Sequence, residues 1–139
     1  MFVRLTDTIS VAGQIAPGDL LGAHGFVAVV NNRPDGEELG QPSGAAMQAA
    51  AAAAGLAYTA IPIDHSGFSI EQIDAMAAVL DGASGPVLAW CRSGTRSANL
   101  WALAEARRGG DPDAIVAAAA SGRYDVSALL PTLRRLSAR

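Results

Sequence analysis

The chain has 139 residues, half of them apolar, with 10 basic and 13 acidic side chains for a net charge of −3. That is enough for one domain with its own core and too little for two ordinary ones. The mild acidity and the lack of a basic tract exclude nucleic acid as a default partner, and no run approaches the ~20 strongly apolar residues of a membrane span.

In chain order, residues 2–5 and 9–12 read as two short strands around the turn Thr6-Asp7-Thr8. The opening residues lack the basic and apolar regions of a secretory leader. Ala16 or Pro17 opens a short helix that ends between Gly22 and Gly25. The continuous apolar run 26–31 predicts a strand buried on both faces, followed by the polar loop Asn32-Arg33-Pro34-Asp35-Gly36-Glu37-Glu38. Ser43 caps an alanine-rich helix over 44–54, expected to be buried and amphipathic. Residues 56–61 predict a second buried strand, with Pro62-Ile63-Asp64-His65-Ser66-Gly67-Phe68 as the loop at its end.

Ser69 and Gln72 have the spacing of a capping box, and Ile70, Ile73, Ala77 and Leu80 carry the helical apolar period behind it. The third core strand is 87–90, and a helix follows over 97–107. Asp111-Pro112 starts the next helix, which runs to about 120 and is closed by Gly122. A last helix over 126–136 contains Pro131, which kinks it or marks its true start. Strands alternating with helices imply an α/β fold, a mostly parallel sheet with helices on both faces. Ligands bind such sheets at the carboxyl ends of the strands, so the loops 31–42, 62–68 and 91–97 should meet there.

The most informative of these loops is Cys91-Arg92-Ser93-Gly94-Thr95-Arg96-Ser97, which holds the sole cysteine between a strand and a helix. A thiolate at a helix N-terminus faces unpaired N–H groups and the positive end of the macrodipole. Arg92 adds positive charge, and Gly94 lets successive N–H groups turn inward as an anion nest. Ser93 and Thr95 complete the nest, and Ser97 offers a hydroxyl to the thiolate or the leaving atom. Arg96 brings a planar fork suited to two oxygens of an oxyanion. Cys91 is thus the candidate nucleophile, Arg96 the anion clamp and Asp64 the candidate general acid, with His65 its alternative. Arg33 is a candidate for the substrate's anionic group or for an ion pair with a nearby glutamate. Glu37 and Glu38 are expected to be solvated, and Trp90 to be core or pocket wall.

One cysteine cannot form an internal disulfide or a paired-cysteine zinc site, and a free thiol fits a reduced, cytoplasmic setting. His24 and His65 show no metal-ligand spacing, so neither a metal nor any other cofactor is implied.

Three segments together, 9–15, 31–38 and 91–97, resemble the family of domain of unknown function 442, also described as β-lactamase hydrolase-like and phosphatase-like, some of whose members are labelled sulfur transferases. The resemblance spans nearly the whole chain. It implies a protein-tyrosine-phosphatase-like fold of three layers, close to the dual-specificity phosphatases. It also implies a cysteine nucleophile at Cys91 and an anion-clamping arginine at Arg96. Ile61-Pro62-Ile63-Asp64 is similar to the loop that carries the general acid in dual-specificity phosphatases, which gives Asp64 that role.

Two departures stand out. Trp90 replaces the histidine that precedes the cysteine of phosphatases, and four residues rather than five separate Cys91 from Arg96. The shorter loop resembles that of rhodaneses and encloses a smaller anion. Sulfur transfer from thiosulfate or a small persulfide to a thiol is therefore the first expectation. Phosphate-ester hydrolysis through a phosphocysteine is the second, and a non-enzymatic anion-binding domain the third. In each case the partner is a small anion: thiosulfate, a persulfide or a phosphate ester. The oligomeric state is not legible in the sequence.

Overall fold

The computed structural model describes residues 2–22 and 25–138, so His24 lies outside the described residues. Five strands form one sheet: β1 (Phe2–Arg4), β2 (Ile9–Ala12), β3 (Ala28–Asn31), β4 (Ala57–Ala60) and β5 (Val87–Trp90). Their order is β1-β2-β5-β3-β4. Only the β1–β2 pair is antiparallel; the other three pairings are parallel. The helices are α1 (Gly44–Ala53), α2 (Ile70–Gly82), α3 (Thr95–Arg107), α4 (Pro112–Ser121) and α5 (Leu130–Ser137), with a 3₁₀ segment at Pro17–Gly22. This is the expected α/β architecture, a mostly parallel sheet with helices on both faces.

The two-residue period of the strands divides the core. Along β5, Val87 and Ala89 face a cluster with Ile73, Met76 and Leu80 of α2, Ala98 and Trp101 of α3, Ile115 of α4 and Leu133 of α5. Leu88 and Trp90 face the opposite cluster, with Leu20 of the 3₁₀ segment and Met47 and Ala51 of α1. β5 is the central strand and is wholly buried, which is why its sequence is an unbroken apolar run.

Several expectations shift. The strand expected over 56–61 is the edge strand β4 and is largely exposed, because the sheet order leaves it with a single neighbour. The alanine-rich α1 is capped by Ser43, whose Oγ accepts from Ala46 N at 3.1 Å, but only Met47 and Ala51 are buried. Alanine's high helix propensity sustains an exposed helix that the apolar count reads as core. Helix α3 begins at Thr95, two residues earlier than expected, which places Arg96 in its first turn. The last helix begins at Leu130, with Pro131 in its first turn and a short 3₁₀ turn, Ser127–Leu129, before it.

Register sets the site. Ala12 pairs with Trp90, Trp90 with Asn31, and Asn31 with Ala60. The strand ends are level, so Gly13, Cys91, Asn32 and Ile61 all emerge from one edge of the sheet.

Candidate active site

Cys91 follows β5 directly and is fully enclosed. Its Sγ accepts the backbone N–H of Gly94 at 3.1 Å. Gly94 is the N-cap of α3 and has φ +91°, a left-handed conformation that side-chain-bearing residues rarely adopt. That turn reverses the chain and brings the first free N–H of the helix onto the sulfur. The loop is anchored to β2 by Gln14 N donating to Arg92 O at 3.2 Å and Cys91 N to Ala12 O at 3.3 Å. Ser93 Oγ and Thr95 Oγ1 lie 3.1 Å apart on the exposed side of the turn.

Arg96 leaves the first turn of α3 and crosses to the neighbouring loops. Its Nη1 donates to Ile63 O at 2.6 Å and to Glu37 Oε2 at 2.7 Å, and its Nη2 donates to Glu37 Oε1 at 2.9 Å. Glu37 thus takes the end-on fork of the guanidinium. The guanidinium also reaches the Cys91 sulfur, so the fork and the thiol face one place. The Glu37 carboxylate holds Arg96 more firmly charged than a free arginine, and the Cys91 sulfur adds to this.

Glu37, expected to be solvated, is exposed as a residue, but its side chain is 19 % exposed and lies between two arginines. Arg33 Nε donates to Glu37 Oε1 at 2.9 Å, its Nη1 to Gln14 Oε1 at 3.2 Å, and its Nη2 to Glu38 Oε1 at 3.3 Å. Hydrogen bonds from Arg96 above all, with Arg33 second among the attractive partners, lower the Glu37 carboxyl from 4.5 to about 2 against the opposing effect of burial. The Arg33 side chain is 2 % exposed. Of its two expected roles the structure displays the ion pair, and the guanidinium braces Glu37 instead of opening to solvent. Arg92 stands at the rim, with its side chain 67 % exposed and Glu38 at 3.7 Å.

Asn32 ties the three loops together. Its N donates to Trp90 O at 2.8 Å, and its O accepts from Ile63 N at 2.9 Å. Its Nδ2 donates to Ile61 O at 2.9 Å, and its Oδ1 accepts the Ser97 hydroxyl at 2.8 Å. Ser97 therefore directs its proton to Asn32, not to the thiolate as expected, because the early start of α3 turns it into the core.

Asp64 follows Ile63, whose carbonyl Arg96 holds, so the 62–68 loop does reach the cysteine loop. The carboxylate itself is exposed, and its Oδ1 accepts from Ser66 Oγ at 2.5 Å and Ser66 N at 2.9 Å. These bonds lower its pKa below the ordinary value, so Asp64 is an anion at neutral pH. His65 beside it is exposed.

The structure thus brings Cys91, Ser93, Gly94, Thr95, Arg96 and the backbone beside Asp64 to one edge, with Arg92 at the rim and Arg33 and Ser97 beneath. Glu37, Asn32 and Gln14 belong with them. The polar run that follows a buried strand at 31–38 was the available signal for the first two, but an apolar-period reading cannot say which polar side chain turns inward. Among the described residues no group of His, Cys, Asp and Glu could hold a metal ion.

Comparison with known proteins gives the family and the fold. The family model described as β-lactamase hydrolase-like protein, phosphatase-like domain, matches residues 1–108. A β-lactamase hydrolase-like protein of Agrobacterium fabrum is 41 % identical over 109 residues, covering 77 % of this chain and 25 % of the relative. The chain thus spans about a quarter of the length of that curated relative. A candidate phosphatase from Neisseria meningitidis superposes with a TM-score of 0.79 at 25 % identity, covering 96 % of both chains. A mouse protein described as a candidate dual-specificity phosphatase superposes with a TM-score of 0.69 at 20 % identity, covering 99 % of this chain and 86 % of the other; this likeness shows the fold. The matching family is described as phosphatase-like, not as the sulfur transferase that loop length put first.

Proposed function

We propose that this chain, which belongs to the β-lactamase hydrolase-like protein, phosphatase-like domain family, hydrolyses phosphate monoesters with Cys91 as nucleophile. The observation that supports this best is the Gly94 N–H on Cys91 Sγ together with the Arg96 guanidinium, held by Glu37 and Ile63 O beside the same sulfur. The thiolate attacks phosphorus, the Sγ–P bond forms and the ester P–O bond breaks. The α3 N-terminus and Arg96 take up the negative charge on the non-bridging oxygens. The leaving oxygen departs with the bonding pair and takes a proton from solvent water. Water then attacks the phosphocysteine, releasing inorganic phosphate and restoring the thiolate.

Asp64 enters this scheme as an anion, so the reaction falls on esters whose leaving oxygen needs little protonation, aryl in preference to alkyl phosphates. The direct test is release of nitrophenol from p-nitrophenyl phosphate by wild type and Cys91→Ser. Release by wild type that disappears in the variant supports the assignment. Equal rates in both would end it.

The four-residue spacing and the enclosed sulfur favour a second reading, transfer of a sulfane sulfur through a Cys91 persulfide, for which sulfite leaves without an acid. Intact-mass measurement after incubation with thiosulfate separates the two. A gain of one sulfur that depends on Cys91, with no nitrophenol release, moves the assignment to sulfur transfer.

A further inference from the structure

Tyr124 lies beyond residues 1–108, the part matched by the family model. It follows Gly122, the C-cap of α4, and Arg123, the single non-glycine residue with positive φ (+70°) among those described. A non-glycine residue in the left-handed region is uncommon and costs free energy, so the surroundings must hold it there. They do: the N–H groups of Gly122 and Tyr124 both donate to Ala119 O at 3.0 Å, and Arg123 N donates to Ala120 O at 2.9 Å. After Tyr124, Asp125 accepts from Ser127 N at 2.9 Å and Ser127 Oγ at 2.6 Å, closing the turn.

This turn delivers the Tyr124 hydroxyl to the back of the cysteine loop, where it donates to Ser93 O at 3.1 Å. The Ser93 carbonyl and the Gly94 N–H belong to one peptide unit, and that N–H is the donor to Cys91 Sγ. A hydrogen bond received by a peptide oxygen polarises the unit and strengthens its N–H as a donor. The fit is close: a Cβ on Gly94 would come within 2.2 Å of the Tyr124 oxygen.

We propose that Tyr124 is a positioning residue that acts on Cys91 through the Ser93–Gly94 peptide, aiming and polarising the N–H that stabilises the thiolate. The phenol also senses the sulfur: burial first, and then the negative charge of Cys91, push its own pKa above the ordinary value. The charges near the thiolate on the other elements are Arg96 on α3, Glu37 behind it, and Arg92 at the rim. The proposal rests on Cys91 as the reacting group, in either chemistry, and its test needs no substrate.

The experiment is the rate of iodoacetamide alkylation of Cys91 as a function of pH, in wild type and Tyr124→Phe, beside a thermal melt and p-nitrophenyl phosphate turnover. The lost bond acts on the sulfur only through the Gly94 N–H, so the alkylation profile should move to higher pH by a fraction of one ordinary hydrogen bond, up to about half a unit. Any Cys91-dependent kcat/KM should fall by no more than about threefold. An unmoved profile with a lowered Tm assigns Tyr124 a structural role and overturns the proposal. A shifted profile with no phosphatase activity in wild type upholds it while the phosphatase reading fails. Should Tyr124→Phe not fold, 3-fluorotyrosine at position 124, a more acidic donor of nearly the same shape, should move the profile to lower pH. A profile left in place by that replacement overturns the proposal.

Discussion

Asp64 is where residue identity and residue state part. Its place after Ile61-Pro62-Ile63 brings it beside a backbone group that Arg96 holds, which is the position the sequence motif implies. Its hydrogen bonds come from Ser66, however, and both favour the ionised form. A proton donor must hold its proton near the working pH, and both of these bonds work against that. We therefore expect Asp64→Asn to leave the kcat of aryl phosphate hydrolysis within about threefold of wild type, far less than the 10²- to 10⁴-fold of a committed general acid. A hundredfold loss in a steady-state assay would restore the acid role. Ser97 is the opposite case. Its hydroxyl is 1 % exposed at residue level and satisfies Asn32 Oδ1, so Ser97→Ala strands a buried acceptor. The expected cost is about 1–3 kcal/mol in denaturant unfolding, with the loop after β3 loosened and catalysis reduced indirectly. A variant as stable as wild type would show that Asn32 finds another donor.

At the scale of elements, the devices that act within a few residues were legible in advance. The Ser69–Gln72 capping box is formed in both directions, at 2.8 and 3.1 Å. Ser69→Ala should lower stability by about 1 kcal/mol, read as a fall of a few degrees in Tm, while kcat/KM stays within about twofold. A large loss of activity with unchanged stability would instead tie the start of α2 to the chemistry. The cysteine loop, the Asp111 cap and the Pro131 start were visible for the same local reason. What depended on neighbours was not. The apolar count of 56–61 could not reveal that β4 lies at the edge, and the alanines of α1 carry too little surface to indicate burial. The inward turn of Glu37 and the approach of Tyr124 are set by chain segments 59 and 31 residues away from their partners on the loop. No periodicity within 31–38 or 122–126 encodes such separations.

For the molecule as a whole, the level strand ends make one network out of three loops, and Glu37 is its joint. It links the loop after β3 to α3 through Arg96, and Arg96 in turn holds the loop after β4 at Ile63 O. Because this carboxylate is paired with two arginines at once, its charge state should be felt in stability. Its pKa falls from 4.5 to about 2 on folding. A depressed carboxyl contributes stability that is complete above the unfolded value and is lost as pH falls through the folded one. The contribution is thus fully present above about pH 4.5 and disappears toward about pH 2, and solvent screening at this exposed residue keeps it to about 1 kcal/mol. Glu37→Gln removes the titration and leaves Arg33 and Arg96 without their shared counter-ion. The variant should be less stable than wild type at neutral pH, and the gap between the two should narrow steadily below about pH 4.5. Urea midpoints at about pH 7 and about pH 3 measure this directly, and taking the difference between the two proteins cancels the other carboxylates. Parallel curves would mean that Glu37 is paired equally well in the unfolded chain, or that the network does not bear on folding. Converging curves with activity lost at neutral pH would show that the charge joining the loops also sets the Arg96 fork for its anion.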